Sequence, residues 1–333
     1  MSKKRSQLAD YTVYLIVRVV VCLLQSLSYS AACAFASSLA WLAYRIDRRH
    51  REVAYDNLRQ AFPGRYNDAE LDELVRSVYR HFCTLLIDIV HMPRKLHVNT
   101  WRRHMQVPSI RQCVACLLSG RPLLIVTGHF GNWEAGGYTL ALLGFTTHAI
   151  ARELDNRYLD AFLRRFREST GQKLLAKRGD FDQMQSILAG GGVIGTLADQ
   201  DAGQRGLFVD FFGRPASTHK AVALLAMEYN VPLLVLGVRK LPGEMRYEQI
   251  IEDVILPEEY AGQADAARAM TQRYTAALER IVRRAPDQYF WLHRRWKHQP
   301  HRKGAKGAKE RNKTENGVVF GLRSGEGAVS IPA

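Results

Sequence analysis

Thr127-Gly128-His129-Phe130-Gly131-Asn132-Trp133-Glu134 places an imidazole and a carboxylate five residues apart, with glycines at 128 and 131. On a regular helix that spacing separates the two side chains by about 140°, so they face different ways. They meet only if the backbone turns between them, and the glycines permit such a turn. A carboxylate on one ring nitrogen fixes the tautomer and raises the basicity of the ring. The other nitrogen is then left to take a proton from a hydroxyl. Free N–H groups at the start of the next helix would also suit a developing oxyanion. The same residues read equally as a helix entrance, with Asn132 as cap, Glu134 in the first turn and His129 as an ordinary polar side chain.

The elements around this segment decide where it sits. Pro122–Thr127 is a short apolar run of strand type, and a helix is predicted near Trp133–Leu143. Strand signals recur at His148–Ala151, Gly192–Ala198, Leu233–Val238 and Tyr247–Val254. Helical patterns fall at Arg48–Phe62, Ala69–Met92 (stopped by Pro93), Tyr158–Thr170, His219–Tyr229 and Ala264–Arg284. Strands alternating with helices predict an α/β fold with a mixed, mostly parallel sheet covered by helices. In such sheets ligands bind beyond the carboxyl ends of strands, where His129 stands. Cys113 and Cys116 have C-x-x-C spacing, but no second pair completes a zinc site, so core packing is expected. Gly190–Gly192 precedes a strand and reads as a turn rather than a phosphate loop.

The chain has 333 residues, 47% hydrophobic and 24% charged, a profile that excludes wholesale disorder and fibrous classes. Five cysteines argue for a reducing compartment rather than a disulfide framework. The net charge of +15 suits an anionic partner such as lipid head groups, nucleic acid or an acidic protein. The last 35 residues carry seven basic and three acidic side chains without an apolar period, so residues 299–333 are expected to be a basic, disordered tail. Between Tyr11 and Arg45 the only charge is Arg18. Val19–Tyr44 is long enough to cross a bilayer, which takes about 20 residues, and a tilted or interfacial helix fits as well. Residues 1–46 are therefore expected to be a membrane anchor and 47–298 the catalytic body. Basic clusters flank both ends, and the larger one, Arg45–Arg51, favours a cytoplasmic body.

Gly128-His129-Phe130-Gly131-Asn132-Trp133-Glu134 resembles the His-x4-Glu block of the bacterial lipid A biosynthesis acyltransferases, the late lauroyl and myristoyl transferases, within the wider lysophospholipid acyltransferase fold. Further blocks follow in order. Ala151-Arg152-Glu153-Leu154-Asp155-Asn156 is similar to the second, although Glu153 stands where proline is more usual. Arg164-Arg165-Phe166-Arg167 falls where the family places an active-site arginine, and Arg167 fits best. Leu197–Asp201 with Phe211–Ala216 matches the third, and Gln288–Lys297 the closing block. Asn57-Leu58 and Ala61-Phe62-Pro63 fit too.

The resemblance implies transfer of a fatty acyl chain from an acyl carrier protein thioester to a glycolipid hydroxyl, with no metal and no cofactor. His129 would deprotonate the acceptor and Glu134 would orient it. Arg167 and Arg152 would bind acceptor phosphate or the donor. Asp199 and Asp201 would lie at the pocket rim, with Asn132 nearby, and structural capping is the alternative for them. Arg294, Arg295 and Lys297, interleaved with Trp291 and Trp296, would suit a membrane-interface belt or the acidic carrier. The expected setting is the cytoplasmic side of an inner membrane. The same chemistry on another acceptor, such as a phosphatidylinositol mannoside, is the alternative. No helix-turn-helix, zinc finger or RNA-binding signature supports nucleic acid as a partner.

Overall fold

The computed structural model describes residues 6–151, 153–176 and 181–300. Arg152 and the tail from residue 301 lie outside the described residues. The helices are α1 (Gln7–Ser26), α2 (Tyr29–Ile46), α3 (Arg48–Ala61), α4 (Asp68–Lys95), α5 (Trp101–His104), α6 (Ile110–Leu117), α7 (Trp133–Leu142), α8 (Arg157–Glu168), α9 (Phe181–Ala189), α10 (Ala221–Glu228) and α11 (Ala266–Arg284). The strands are β1 (Met105–Gln106), β2 (Leu123–Thr127), β3 (Thr147–Ala151), β4 (Lys173–Ala176), β5 (Val193–Leu197), β6 (Leu207–Phe211), β7 (Arg214–Thr218), β8 (Leu233–Leu241) and β9 (Arg246–Ile255).

Seven strands form one sheet in the order β1-β9-β8-β2-β5-β3-β4, and only the β8–β9 pair is antiparallel. The central strand β2 is an unbroken apolar run because both of its faces are covered. Leu124 and Val126 join a core with Ile194, Leu233, Val235 and the α11 residues Met270, Tyr274 and Ile281. Leu123 and Ile125 pack instead with Cys113, Leu140, Leu234 and Leu236. The two-residue alternation of the strand thus assigns α11 to one core and α6 and α7 to the other. The hairpin β6–β7 stands apart as a two-stranded sheet, an element the sequence pattern did not announce.

The N-terminus departs from the expected span Val19–Tyr44. The helix breaks at Leu27-Ser28, where Ser28 is extended (φ −61°, ψ 151°) and its hydroxyl accepts from the Ala31 N–H at 3.3 Å. A serine at this position competes for helix ends and starts a new helix. Among the described residues, the helix long and apolar enough to cross a membrane is α1. On α2 a stripe of Ala32, Ala36, Ala40 and Tyr44, one residue per turn, is buried, and Ala32 and Ala36 pack with Ile87 of α4. Pro93 does not end α4. It sits in the last turn, and the fully buried Met92 and Leu96 hold the chain helical to Lys95, with the Leu96 N–H on Met92 O at 2.9 Å.

The closing segment is the second correction. Trp291 and Arg295 are 0% and 1% exposed and Trp296 is buried, so these side chains form no surface belt. The Arg295 guanidinium donates to Ser217 O at 2.6 Å and to Thr218 Oγ1 at 2.8 Å, inside the fold. Only Arg294 and Lys297 of that group are exposed.

Candidate active site

Parallel pairing of β2 and β5 sets Thr127 opposite Leu197, and the Ala198 N–H extends the ladder onto Thr127 O at 2.9 Å. Two residues beyond each strand end stand His129 and Asp199. The sheet register therefore brings the two side chains together. Asp199 Oδ1 accepts from His129 Nδ1 at 2.8 Å, and Oδ2 accepts from the His129 main-chain N–H at 2.8 Å. With Nδ1 donating to a carboxylate, Nε2 carries the free lone pair. Asp199 is 2% exposed, whereas the imidazole retains 20% of its side-chain surface.

The loop that carries His129 is clamped by β8, by the closing segment and by a side chain of α4. A Cβ at Gly128 would stand 3.1 Å from Asp199 Oδ2, so the bare backbone lets the carboxylate reach both donors. Gly131 has φ +57°, and a Cβ there would lie 1.8 Å from Val238 O of β8. The Asn132 N–H donates to that same carbonyl at 2.8 Å. The Gly131 N–H donates to Gln288 O at 2.8 Å, and the Phe290 N–H to His129 O at 3.0 Å. His81 of α4 donates from Nε2 to Gly131 O at 3.2 Å. Burial holds the His81 pKa down at about 4, against the pull of that hydrogen bond, so the ring is neutral. Asn57 of α3 donates to both Trp291 O and His293 O at 2.7 Å, which pins the closing segment in turn. The closing block is a brace for the His129 loop.

The expected hydrogen bond from His129 to Glu134 is not made, because Asp199 accepts from Nδ1. Glu134, in the first turn of α7, instead receives Arg167 of α8 in a two-pronged pair. Arg167 Nε lies 3.0 Å from Oε2, and its second nitrogen meets Oε1, which also accepts from Trp133 Nε1 at 3.2 Å. The fork of Arg167 is thus turned to Glu134. Trp133 and Phe290 flank the imidazole, with ring centroids 5.2 and 6.0 Å from it.

Burial opposes the imidazolium of His129, but the charge and hydrogen bond of Asp199, and then the charge of Glu134, outweigh it and raise the pKa above the ordinary histidine value. Burial alone would raise the Asp199 carboxyl. Its contacts with His129, joined by His293, hold it instead well below the usual carboxylate range. The result is an ionised carboxylate under a polarised imidazole whose outer nitrogen is open.

Asn132 and Asp201 follow the capping reading rather than the substrate-binding one. Asn132 is fully buried and caps α7, its Oδ1 accepting from the Ala135 N–H at 2.9 Å. Asp201 is held by His298 Nδ1 at 2.6 Å and by the Gly203 N–H at 3.1 Å, next to the site but not in contact with His129. Asp199 is not at a rim but buried against His129. Missed altogether were the supporting roles of His81, Asn57 and Gln288. For Asp199 a signal was present: it and His129 each stand two residues past an apolar strand.

The family model for bacterial lipid A biosynthesis acyltransferase matches residues 1–298. The chain is 25% identical over 289 residues to lipid A biosynthesis lauroyltransferase of Escherichia coli (strain K12), covering 84% of this chain and 90% of that one. It is 24% identical over 277 residues to the palmitoleoyltransferase of the same organism, covering 82% and 87%. Over 124 residues it is 30% identical to phosphatidylinositol mannoside acyltransferase of Mycobacterium tuberculosis (strain ATCC 25618 / H37Rv), covering 36% of this chain and 39% of that protein. With the sheet, the His129 loop and this match over nearly all of the described residues, the chain belongs to the bacterial lipid A biosynthesis acyltransferase family.

Proposed function

We propose that the protein moves a fatty acyl chain from an acyl carrier protein thioester to a hydroxyl of a lipid A precursor, with His129 as general base, at the cytoplasmic side of an inner membrane. The observation that carries this reading is the tautomer: Nδ1 is committed to ionised Asp199, so Nε2 is the proton acceptor. Nε2 takes the acceptor's O–H proton as the oxygen attacks the thioester carbon. The tetrahedral oxyanion then collapses, expels the carrier thiolate, and the thiolate recovers the proton from Nε2. An ester and a free thiol result. The Trp133 and Glu134 N–H groups at the start of α7, which have no partner within a helix, suit the oxyanion. A thioester is reactive enough to need neither metal nor redox cofactor in this scheme. Glu134 and Arg167 form the charged wall beside the base. The chain's +15 charge suits both an acidic carrier and a phosphorylated acceptor.

The test is acyl transfer by detergent-solubilised protein from carrier thioesters to a lipid A precursor, beside His129→Ala. Wild-type transfer with a loss of about 10²–10⁴ in the variant is expected. Hydrolysis of the thioester without ester formation would reject the acceptor and retain the base. Transfer undiminished in His129→Ala would reject the mechanism. The similarity to a phosphatidylinositol mannoside acyltransferase favours one second reading, the same chemistry on that acceptor, and the two acceptors compared side by side decide it.

A further inference from the structure

α1 is secured to the body at both ends. Near its start, Asn156 Nδ2 donates to Asp10 O at 2.8 Å, and Arg157 reaches Gln7 Oε1 at 3.2 Å, both from the head of α8. At its far end Gln25 Nε2 donates to Val90 O at 3.0 Å, and Arg94 donates to Gln25 O at 2.5 Å, both on α4. Between these points the packing continues: Tyr11 meets Tyr158 edge-on at 5.2 Å, and Arg18 lies over Phe162 at 5.0 Å. Tyr14, Val17, Val21, Leu24 and Gln25, at three- and four-residue spacing, form the half-buried inner face. Leu8, Leu15, Ile16, Val19 and Leu23 repeat on the outer face and are 75, 45, 58, 58 and 61% exposed.

A helix of 20 residues is about 30 Å long, enough to cross a bilayer. Crossing would carry its two ends to opposite sides, yet both are bonded to the same body. Arg18 is the twelfth residue of α1, so a crossing helix would also hold a charge near the bilayer centre, where it is costly. Laid flat, the same arginine sits at head-group level between α1 and α8. The elements that hold α1 also expose Arg157 and Arg165 on α8 and Arg94 on α4, basic side chains that complement anionic head groups.

We propose that α1 lies in the plane of one membrane leaflet, its Leu8–Leu23 face submerged and its inner face riding on α4 and α8, so that the protein is held on one side without crossing. The choice of a lipid leaflet as occupant rests on the glycolipid reading above. Because α8 also carries Arg167, the Glu134–Arg167 pair lies one helix away from that surface.

The test uses the full chain with Cys22→Ser, and introduces Ser6→Cys just before α1, Ser30→Cys just after it at the start of α2, or Glu73→Cys as a marker of the body. Membranes are treated with an impermeant maleimide in spheroplasts and in inside-out vesicles, each signal being read against the same protein without the introduced cysteine. Both ends should react from the side that labels position 73. A position 6 that reacts only from the opposite side overturns the proposal. On purified protein in phosphatidylethanolamine–phosphatidylglycerol vesicles, nitroxides at Leu8→Cys, Ile16→Cys and Leu23→Cys should report one common shallow depth, about 5–10 Å. A spanning helix would spread these depths over up to about 22 Å along its axis. Water-exposed labels, or labels shielded only in a dimer without lipid, would also overturn it. None of these readouts depends on acyl transfer, so a failed acceptor assay leaves them standing.

Discussion

Two carboxylates stand near His129 and are held by opposite means. Asp199 is fixed by main chain: the β2–β5 register delivers it, and both of its oxygens are spent on one residue. Glu134 is fixed by a side chain from α8, a helix with no buried residue, hooked to α1 on its far side. Equal charges therefore differ in how firmly they are set. The sheet makes the first rigid, and the second depends on a peripheral helix whose position follows its neighbours.

The largest effect should come from the rigid side. Asp199→Asn removes the charge and one acceptor under Nδ1, and turnover is expected to fall by about 10²–10⁴. A fall of less than 10-fold would erase the distinction between the carboxylates. The same variant should move the pH profile. In the proposed mechanism His129 acts unprotonated, so the rate should rise with pH through its pKa, which Asp199 holds above the ordinary value of 6.5. Removing the charge should shift that acidic limb to lower pH, measured as kcat/KM against pH. Arg167→Lys keeps a charge but loses the fork, and a drop of about 10–100-fold is expected, the scale of orienting partners. Combined with Glu134→Gln it should cost little more than either change alone, because the pair acts as a unit; full multiplicativity would separate them.

Further from the base the consequence turns from rate to stability. Asn57→Ala strips the donor from two carbonyls of the closing segment and should cost about 1–3 kcal/mol in urea unfolding, with turnover within 10-fold of wild type. The last expected effect, which appears only in acid, concerns His81. Its folded pKa of about 4 lies below the unfolded 6.5, so the unfolded chain binds more protons between those values. Stability should accordingly decline as pH falls from 6.5 towards 4, and His81→Gln, which retains a donor for Gly131 O, should flatten that decline.

How far the sequence could be read depends on range. Strands β2, β5 and β8 were visible because covered parallel strands are continuous apolar runs, and α11 because its period is long and regular. The imidazole stood out through its glycine-flanked turn. Its partner did not, since Glu134 is near in sequence while Asp199 comes from 70 residues on through a pairing register that no local pattern encodes. The closing block misled for a related reason. Arginines beside tryptophans look like a surface, yet Arg295 finds Ser217 O and Thr218 Oγ1 at 77–78 residues' distance and can be buried. The break at Ser28 was legible in principle, as a serine ahead of a helix, but the apolar run around it masked it.

Gly131 bears on how this protein could diversify. Its contact with Val238 is backbone against backbone, too close for any side chain, and the Asn132 N–H closes on the same carbonyl. The distance from β8 to the imidazole is therefore set without reference to the side chains lining the surroundings. Side chains around the loop can be exchanged one residue at a time while the imidazole keeps its place. In an engineering campaign, libraries should leave 128–134 and Arg167 untouched and place their diversity on the side chain of Phe290 and the exposed side of α8.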